Sequence, residues 1–348
     1  MFKPVFSISS KMVNSLTTIE RLYAQLIAEK LIPSLALKLS EENQVLATHY
    51  STSIEGNPLS SYDVTNIVLG DKIPVTKSEK EVKNYFAVLN KIFIIQKERI
   101  PIDLELTKNL HKVLLKDLGD KSPDDFRDSE VFIGHKTREE IVVKHNPPFH
   151  KKKDIENALS QLFEWLNNSD ELHPLIKAGI FHHQFAYIHP FYDGNGRLTR
   201  ILTEYYLLLK NYQVAKFFIL DDYYDIDRQM YSDMLHSADK QNKTFWLEYF
   251  LEGIANSLQA ALARINELKK VNLDELTGEK RVLVTPREEE VLEIIIDKKA
   301  VRTRDVQEVL SVTRQQAHAL LFSLTRKKLV EKFGKTKTSY YKLLPKKQ

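Results

Sequence analysis

The sequence contains no cysteine among its 348 residues. Disulfide bonds, thiolate nucleophiles and cysteine-ligated metal sites are therefore excluded. No uncharged apolar run reaches the roughly 18 residues that a membrane-spanning helix needs, and the first residues contain no apolar signal core. We therefore expect a cytoplasmic protein with no membrane partner.

Glycine is also scarce, with ten residues, whereas Leu, Lys and Glu are abundant. This composition favours a mainly α-helical protein. A chain of this length is expected to form two or three domains. We predict an N-terminal helical region over residues 1–100, a core domain over 101–270, a polar linker over 271–284 and a separate domain over 285–348.

The charge is unevenly distributed. Residues 280–348 contain 17 Lys and Arg against 8 Asp and Glu, although the whole chain carries a formal net charge of only +4. The part before residue 280 is therefore acidic. A basic end of this kind indicates either a polyanionic partner or simply a soluble basic domain, and charge alone leaves both open.

Residues 188–200 concentrate the groups that can carry chemistry. Gly194 and Gly196 bracket Asn195, so the backbone N–H groups of this loop can turn inward. An apolar run with helical periodicity begins at Leu198. The loop therefore lies at a helix N-terminus, where free amides and the helix dipole favour an anion.

Four titratable or charged side chains belong to the same stretch. Arg197 and Arg200 lie three residues apart, on one face of the first helical turn. His189 is a candidate proton acceptor, and Asp193 offers an oxygen ligand to a hard cation such as Mg²⁺. Each residue alone has an ordinary structural explanation, but together they predict a phosphate-binding catalytic site.

The stretch resembles the signature of the Fic family, His-Pro-Phe-x-Asp-Gly-Asn-Gly-Arg-x-x-Arg, at every fixed position from 189 to 200. The resemblance implies the helical Fic fold over roughly residues 35–268. It also implies transfer of a nucleotide-derived group, most often AMP from ATP, to a Tyr, Thr or Ser hydroxyl of a protein target or of the chain itself. In that reaction His189 is the base, Asp193 holds Mg²⁺, and the triphosphate contacts Gly194, Asn195, Gly196, Arg197 and Arg200.

Residues 51–57 are similar to a second Fic pattern, the inhibitory motif Ser/Thr-x-x-x-Glu-Gly/Asn. Ser51 and Glu55 lie on one helical face, and Gly56 suits the turn that ends the helix. The resemblance implies that Glu55 pairs with Arg200 and blocks the place of the γ-phosphate. A helix end with a solvated glutamate is the alternative.

Two β-branched runs, residues 131–135 and 141–143, predict a hairpin. In Fic proteins a hairpin at this place lines the site and binds the target segment through main-chain hydrogen bonds. The resemblance therefore implies a target-binding flap formed by Val131, Phe132, Ile133 and Gly134.

Three further side chains between residues 180 and 235 are candidates for a functional role. Tyr231 lies where the tyrosine pair that encloses the nucleotide base ends in the family, but Met230 replaces the first member of that pair. His182 and His183 are adjacent in a predicted helix and therefore point about 100° apart. We expect them to be buried core histidines and not ligands of one metal ion.

Residues 285–348 predict three helices followed by two short strands, the layout of a winged helix-turn-helix. In such a domain the third helix presents its side chains to the major groove of DNA. The candidates here are Arg314, Gln315, Gln316 and His318. A protein-binding or homodimerising domain is the alternative.

Three functions follow from these patterns. The favoured one is an autoinhibited protein adenylyltransferase. The second is removal of AMP from a modified protein at the same site, with Glu55 orienting water. The third is a DNA-binding regulator whose Fic core only senses a nucleotide.

Overall fold

The computed structural model describes residues 2–29, 33–70, 72–119, 125–136, 141–168, 172–213, 217–240, 242–277, 285–327, 329–334 and 339–344. The protein is mainly helical, as expected. It divides into two compact units, Met1–Ile27 with Leu39–Ala261 and Ala28–Lys38 with Leu262–Gln348. Within the described residues no helix has the length and apolar character needed to cross a bilayer.

The helices up to residue 277 are, in chain order, α1 (Ser10–Ala28), α2 (Pro33–Ile54), α3 (Ser61–Val68), α4 (Lys77–Ile95), α5 (Leu104–Leu114), α6 (Lys152–Asn168), α7 (Pro174–Ile188), α8 (Asn195–Leu209), α9 (Asp221–Ile226), α10 (Arg228–Ser237) and α11 (Thr244–Thr277). Strands β1 (Ile133–Lys136) and β2 (Ile141–His145) pair antiparallel, with an irregular register after Ile133. The tip of this hairpin, residues 137–140, lies outside the described residues.

Helix α7 lies at the centre of the first unit. Its apolar side chains are buried on all sides, as in Ile180, Phe181 and Phe185, and each such burial contributes about 1.5–3 kcal/mol. Gly179 lets α11 approach closely, because a Cβ there would meet Leu247 at 2.7 Å. Helix α7 therefore fixes the loop that follows it, which carries the predicted catalytic stretch.

Local signals place several helix ends correctly. Ser60 accepts a hydrogen bond from the backbone N–H of Asp63, whose carboxylate bonds back to the N–H of Ser60, so α3 begins at a capping box. Gly56 has φ +86° directly after α2, the left-handed conformation that ends helices. These two features hold the turn after Glu55 in place.

Other boundaries differ from the predictions. Helix α11 continues through Thr277 into the predicted linker 271–284, whose remaining residues 278–284 lie outside the described part. Val131 and Phe132 precede β1 and do not belong to it. The predicted domain boundaries remain predictions.

The C-terminal part contains α12 (Pro286–Lys298), α13 (Thr303–Leu310), α14 (Arg314–Arg326) and the antiparallel strands β3 (Val330–Phe333) and β4 (Tyr340–Leu343). The backbones of Val301 and Tyr341 exchange two hydrogen bonds. Side chains from all three helices and both strands form one apolar core, which includes Leu292, Val306 and Leu321.

Candidate active site

A cavity of about 350 Å³ opens in the first unit, bounded by the hairpin, the loop between α7 and α8, α10 and the end of α2. Seven predicted residues line it together, although their positions span most of that unit's sequence. They are Glu55, Ile133, His189, Asn195, Gly196, Arg200 and Tyr231.

The loop before α8 is closed by its own asparagine. The Asn195 side chain accepts a hydrogen bond from the N–H of Phe191 at 2.9 Å and donates one to the Phe191 carbonyl at 2.8 Å. Gly194 sits at φ +77° as the N-cap of α8. The Asn195 amide therefore shapes the loop, and the loop presents backbone N–H groups of the first helical turn to an anion.

His111 on α5 supports this loop, a role that sequence reasoning missed. Its Nε2 lies 2.9 Å from the carbonyl oxygen of Asp193, and its ring stacks on Phe191 with a centroid separation of 3.6 Å. The ring is fully buried. His111 therefore packs under the motif and does not line the cavity.

His189 terminates α7 in a left-handed conformation at φ +50° and lines the cavity. Burial lowers the pKa of its imidazole to about 3, and the neighbouring His145 and Arg127 act in the same direction. The ring is therefore neutral at physiological pH, which is the state that a proton acceptor requires.

Arg127 holds the backbone around His189. It is fully buried, and its guanidinium donates hydrogen bonds to the carbonyls of His189 at 2.7 Å, Ser129 at 2.7 Å and Ile188 at 3.2 Å. Its own N–H also donates to the carbonyl of Pro190 at 2.9 Å. These bonds fix the strained turn that carries the imidazole. The sequence analysis did not identify Arg127 as a residue of the site.

Arg200 is bound by the C-terminal end of α2. Its guanidinium donates to the Ser51 hydroxyl at 2.7 Å, to the Ser51 carbonyl at 2.8 Å and to Glu55 Oε1 at 2.9 Å. Burial works to lower the pKa of Arg200, but the attraction of Glu55 and Asp221 outweighs it and raises the pKa. The predicted pairing of Glu55 with Arg200 is thus present in the structure.

The Glu55 carboxylate lies directly against the first turn of α8. A Cβ added at Gly196 would come within 2.1 Å of Glu55 Oε1. Only glycine therefore lets an anion approach the backbone at this point. The carboxylate occupies an anion position between a helix N-terminus and an arginine.

Arg197 points away from the cavity and toward α4. It lies 3.1 Å from Asp193 Oδ1 and 3.7 Å from Glu81 Oε1, and its buried Nε has no hydrogen-bond partner within the described residues. Glu81 also accepts a hydrogen bond from the Asn57 side chain at 2.9 Å. One carboxylate thus contacts both the motif arginine and the turn after Glu55.

Asp193 fits the predicted magnesium ligand. Its Oδ1 accepts hydrogen bonds from the Gly194 N–H and from Arg197, and 52% of its side chain is exposed. Mg²⁺ retains several waters and binds one or two carboxylates together with substrate phosphates. A single accessible carboxylate beside the loop suits that requirement.

Tyr231 is buried and stacks on Tyr224 with a centroid separation of 4.3 Å. Its hydroxyl lies 2.9 Å from His182 Nε2. Burial raises the pKa of Tyr231 to about 12. Tyr231 is therefore a core residue that also lines the cavity, whereas Met230 is half exposed. His182 and His183 are buried, as expected.

The other predicted residues lie on two separate surfaces. Ile133 lines the cavity, Phe132 and Gly134 are exposed and Val131 is half-buried. On α14 Arg314, Gln315 and His318 are exposed. Gln316 is exposed as well, but its side chain accepts a hydrogen bond from the Thr313 N–H in the cap of α14.

Comparison with known proteins agrees with this geometry. Residues 101–207 match the family model described as the Fic/DOC family. Residues 101–207 are therefore similar to a Fic domain. The match ends within α8 and includes the whole loop from His189 to Arg200.

Two similar relatives carry the name protein adenylyltransferase. The Fic enzyme of Nematostella vectensis is 28% identical over 188 residues, which cover 51% of this chain and 41% of that protein. The fic-1 enzyme of Caenorhabditis elegans is 24% identical over 265 residues, which cover 74% of this chain and 48% of that protein. The chain thus matches less than half the length of either relative.

Solved structures show the same fold. A Fic family protein from Desulfovibrio desulfuricans superposes with a TM-score of 0.65 at 22% identity, covering 100% of both chains. Fic-1 from Caenorhabditis elegans gives a TM-score of 0.59 at 21% identity over 74% of this chain and 73% of that one.

Proposed function

We propose that this chain is an autoinhibited protein adenylyltransferase that transfers AMP from ATP to a Tyr, Thr or Ser hydroxyl of a protein target or of itself. The observation that carries the proposal is the cavity in which a neutral, half-buried His189 faces a helix N-terminus and Arg200. The names of the relatives agree with nucleotidyl transfer.

In this mechanism the target hydroxyl oxygen forms a bond to the α-phosphorus of ATP, and the bond from that phosphorus to the β-phosphate oxygen breaks. His189 accepts the hydroxyl proton, and pyrophosphate leaves. The first-turn amides of α8 and the guanidinium of Arg200 stabilise the charge on the phosphates. Mg²⁺ bound at Asp193 would add positive charge beside the phosphates.

The protein supplies position as well as charge. Arg127 anchors the carbonyls around His189, so the imidazole is held by the backbone and not by a mobile loop. Ile133 places the hairpin at the cavity wall. We propose that β1 binds the target segment through its main chain, as a flap made by Val131, Phe132, Ile133 and Gly134.

Glu55 acts as the inhibitory residue in this proposal. Its carboxylate lies on the glycine and the arginine that a terminal phosphate would use. Two anions cannot share that position without strong repulsion. Productive ATP binding therefore requires Glu55 to leave Arg200, and Ser51 contributes by holding the same guanidinium.

The test uses ATP labelled with ³²P at either the α- or the γ-phosphate, with Mg²⁺ present. Transfer of the α-label alone to protein is expected. Transfer of the γ-label would contradict adenylyl transfer, and release of AMP from a previously modified protein would support the reverse activity instead. His189→Ala is expected to abolish transfer and retain ATP binding; an active His189→Ala protein would remove the histidine from its proposed role.

For the C-terminal part we propose a winged helix-turn-helix that binds DNA through Arg314, Gln315 and His318 on α14. The supporting observations are the exposure of these side chains and the basic composition of residues 280–348. Binding to duplex DNA should weaken steeply with salt. An affinity that is absent at 50 mM salt would favour a protein-binding or homodimerising domain.

A further inference from the structure

Two imidazoles in the first unit converge on one carboxylate. His145 is the last residue of β2, His236 lies in α10, and Asp239 follows in a short 3₁₀ turn. The Nδ1 atom of His145 lies 2.8 Å from Asp239 Oδ2, and that of His236 lies 3.2 Å from the same oxygen. One ligand atom from each of the three residues lies within 4.8 Å of the other two.

The other nitrogen of His145 determines which atom faces the carboxylate. Its Nε2 lies 3.0 Å from the carbonyl oxygen of Tyr187. A carbonyl only accepts, so Nε2 carries the proton. In a neutral imidazole Nδ1 then bears a lone pair, and this lone pair points at a carboxylate oxygen of Asp239. A cation between these two acceptors would bind both of them.

A further histidine orients the carboxylate. His183 donates from Nε2 to Asp239 Oδ1 at 2.9 Å, and its Nδ1 accepts from the Lys243 ammonium at 2.8 Å. One oxygen of Asp239 is thus held by His183, and the other faces both imidazoles.

We propose that His145, His236 and Asp239 bind one transition-metal ion of the zinc class. Nitrogen and carboxylate ligands lie about 2.0–2.2 Å from zinc, so two ligands of a tetrahedral site are roughly 3.3 Å apart. The two observed His–Asp distances need only small adjustments to reach that value. Imidazole ligands select such ions over Mg²⁺.

Two features beyond the ligands support a metal site. Ligating histidines donate their second N–H to a carbonyl or carboxylate, and ligating carboxylates are themselves hydrogen-bonded. Tyr187 and His183 supply these contacts here. His236 and Asp239 also line the cavity, which gives an ion a path of entry. The site would join the end of the hairpin to α10.

The test titrates Zn²⁺ and, separately, Co²⁺ into the full-length, tag-free protein after treatment with a chelator. One equivalent is expected by native mass spectrometry, with visible Co²⁺ absorption typical of a tetrahedral site and an upward shift of the melting temperature. Mg²⁺ at millimolar concentration should not compete. His145→Gln and His236→Ala should each weaken Zn²⁺ binding at least tenfold, whereas His150→Ala at an exposed position should not.

Circular dichroism of each variant separates a lost site from a lost fold. A folded variant that no longer gains thermal stability from Zn²⁺ supports the site. Absence of one-equivalent binding, or binding unchanged in both His145→Gln and His236→Ala, would overturn it and leave His145 as a hydrogen-bond partner of Asp239 only. Neither readout depends on adenylyl transfer, so the metal site and the proposed function fail separately.

Discussion

The contact between Glu55 and Arg200 gives the sharpest prediction. Glu55→Gln keeps the size of the side chain and removes its charge. A hydrogen bond between charged groups contributes about 1.5–3 kcal/mol. Because 39% of the Glu55 side chain is exposed, solvent screening reduces this to about 1–2 kcal/mol. Since 1.4 kcal/mol corresponds to a factor of ten, ATP should bind roughly 5- to 30-fold more tightly.

The assay measures the ATP dissociation constant by calorimetry and the initial rate of α-label transfer at ATP concentrations far below saturation. Both should change in the same direction, with tighter binding and faster transfer. Glu41→Gln, at an exposed position of the same helix, is the matched control and should leave both unchanged. Equal affinity and equal rate in Glu55→Gln and wild type would refute the inhibitory role.

Three further predictions test the support of the site. Burial lowers the His189 pKa to about 3, so below pH 6.5 the unfolded chain binds a proton that the native state excludes, and the free energy of unfolding falls with pH. His189→Asn should remove about 1.4 kcal/mol per pH unit of that loss between pH 4.5 and 6, measured by urea unfolding. Identical slopes of unfolding free energy against pH in the variant and the wild type would contradict this. Arg127→Lys should lower kcat about 10- to 100-fold with little change in the KM for ATP, whereas a change in KM alone would argue against positioning. Gly179→Ala places a Cβ 2.7 Å from Leu247 and should cost about 1–3 kcal/mol in urea unfolding; an unchanged free energy of unfolding would contradict the close packing of α7 on α11.

The sequence alone was sufficient to predict a structural feature where the residues that form it are close in the chain. The cap of α3 depends on Ser60 and Asp63, three residues apart, and it was predictable from their types. The glycine-bracketed loop and its helix were predictable for the same reason. The start of α1 was not, because residues 7, 9 and 10 are all serines that can cap a helix, and only the fold selects Ser9.

Contacts between distant residues were not predictable without the family pattern. Arg127 binds the carbonyl of His189 across 62 positions, and His145 meets Asp239 across 94. Nothing in the local sequence marks either pair, since each depends on how helices and the hairpin pack. The pairing of Glu55 with Arg200, 145 positions apart, was predicted only through the resemblance to an inhibitory motif.

Glu81 couples the turn after Glu55 to Arg197 of the motif, because it contacts both. One of its oxygens accepts from Asn57 in the turn after Glu55, and the other lies near Arg197 of the motif. A phosphate that draws Arg197 away from α4 changes the anchor of that turn. Coupling free energies are reciprocal. A binding partner that changes nucleotide affinity by acting on this turn must therefore have its own affinity changed by the nucleotide by the same factor.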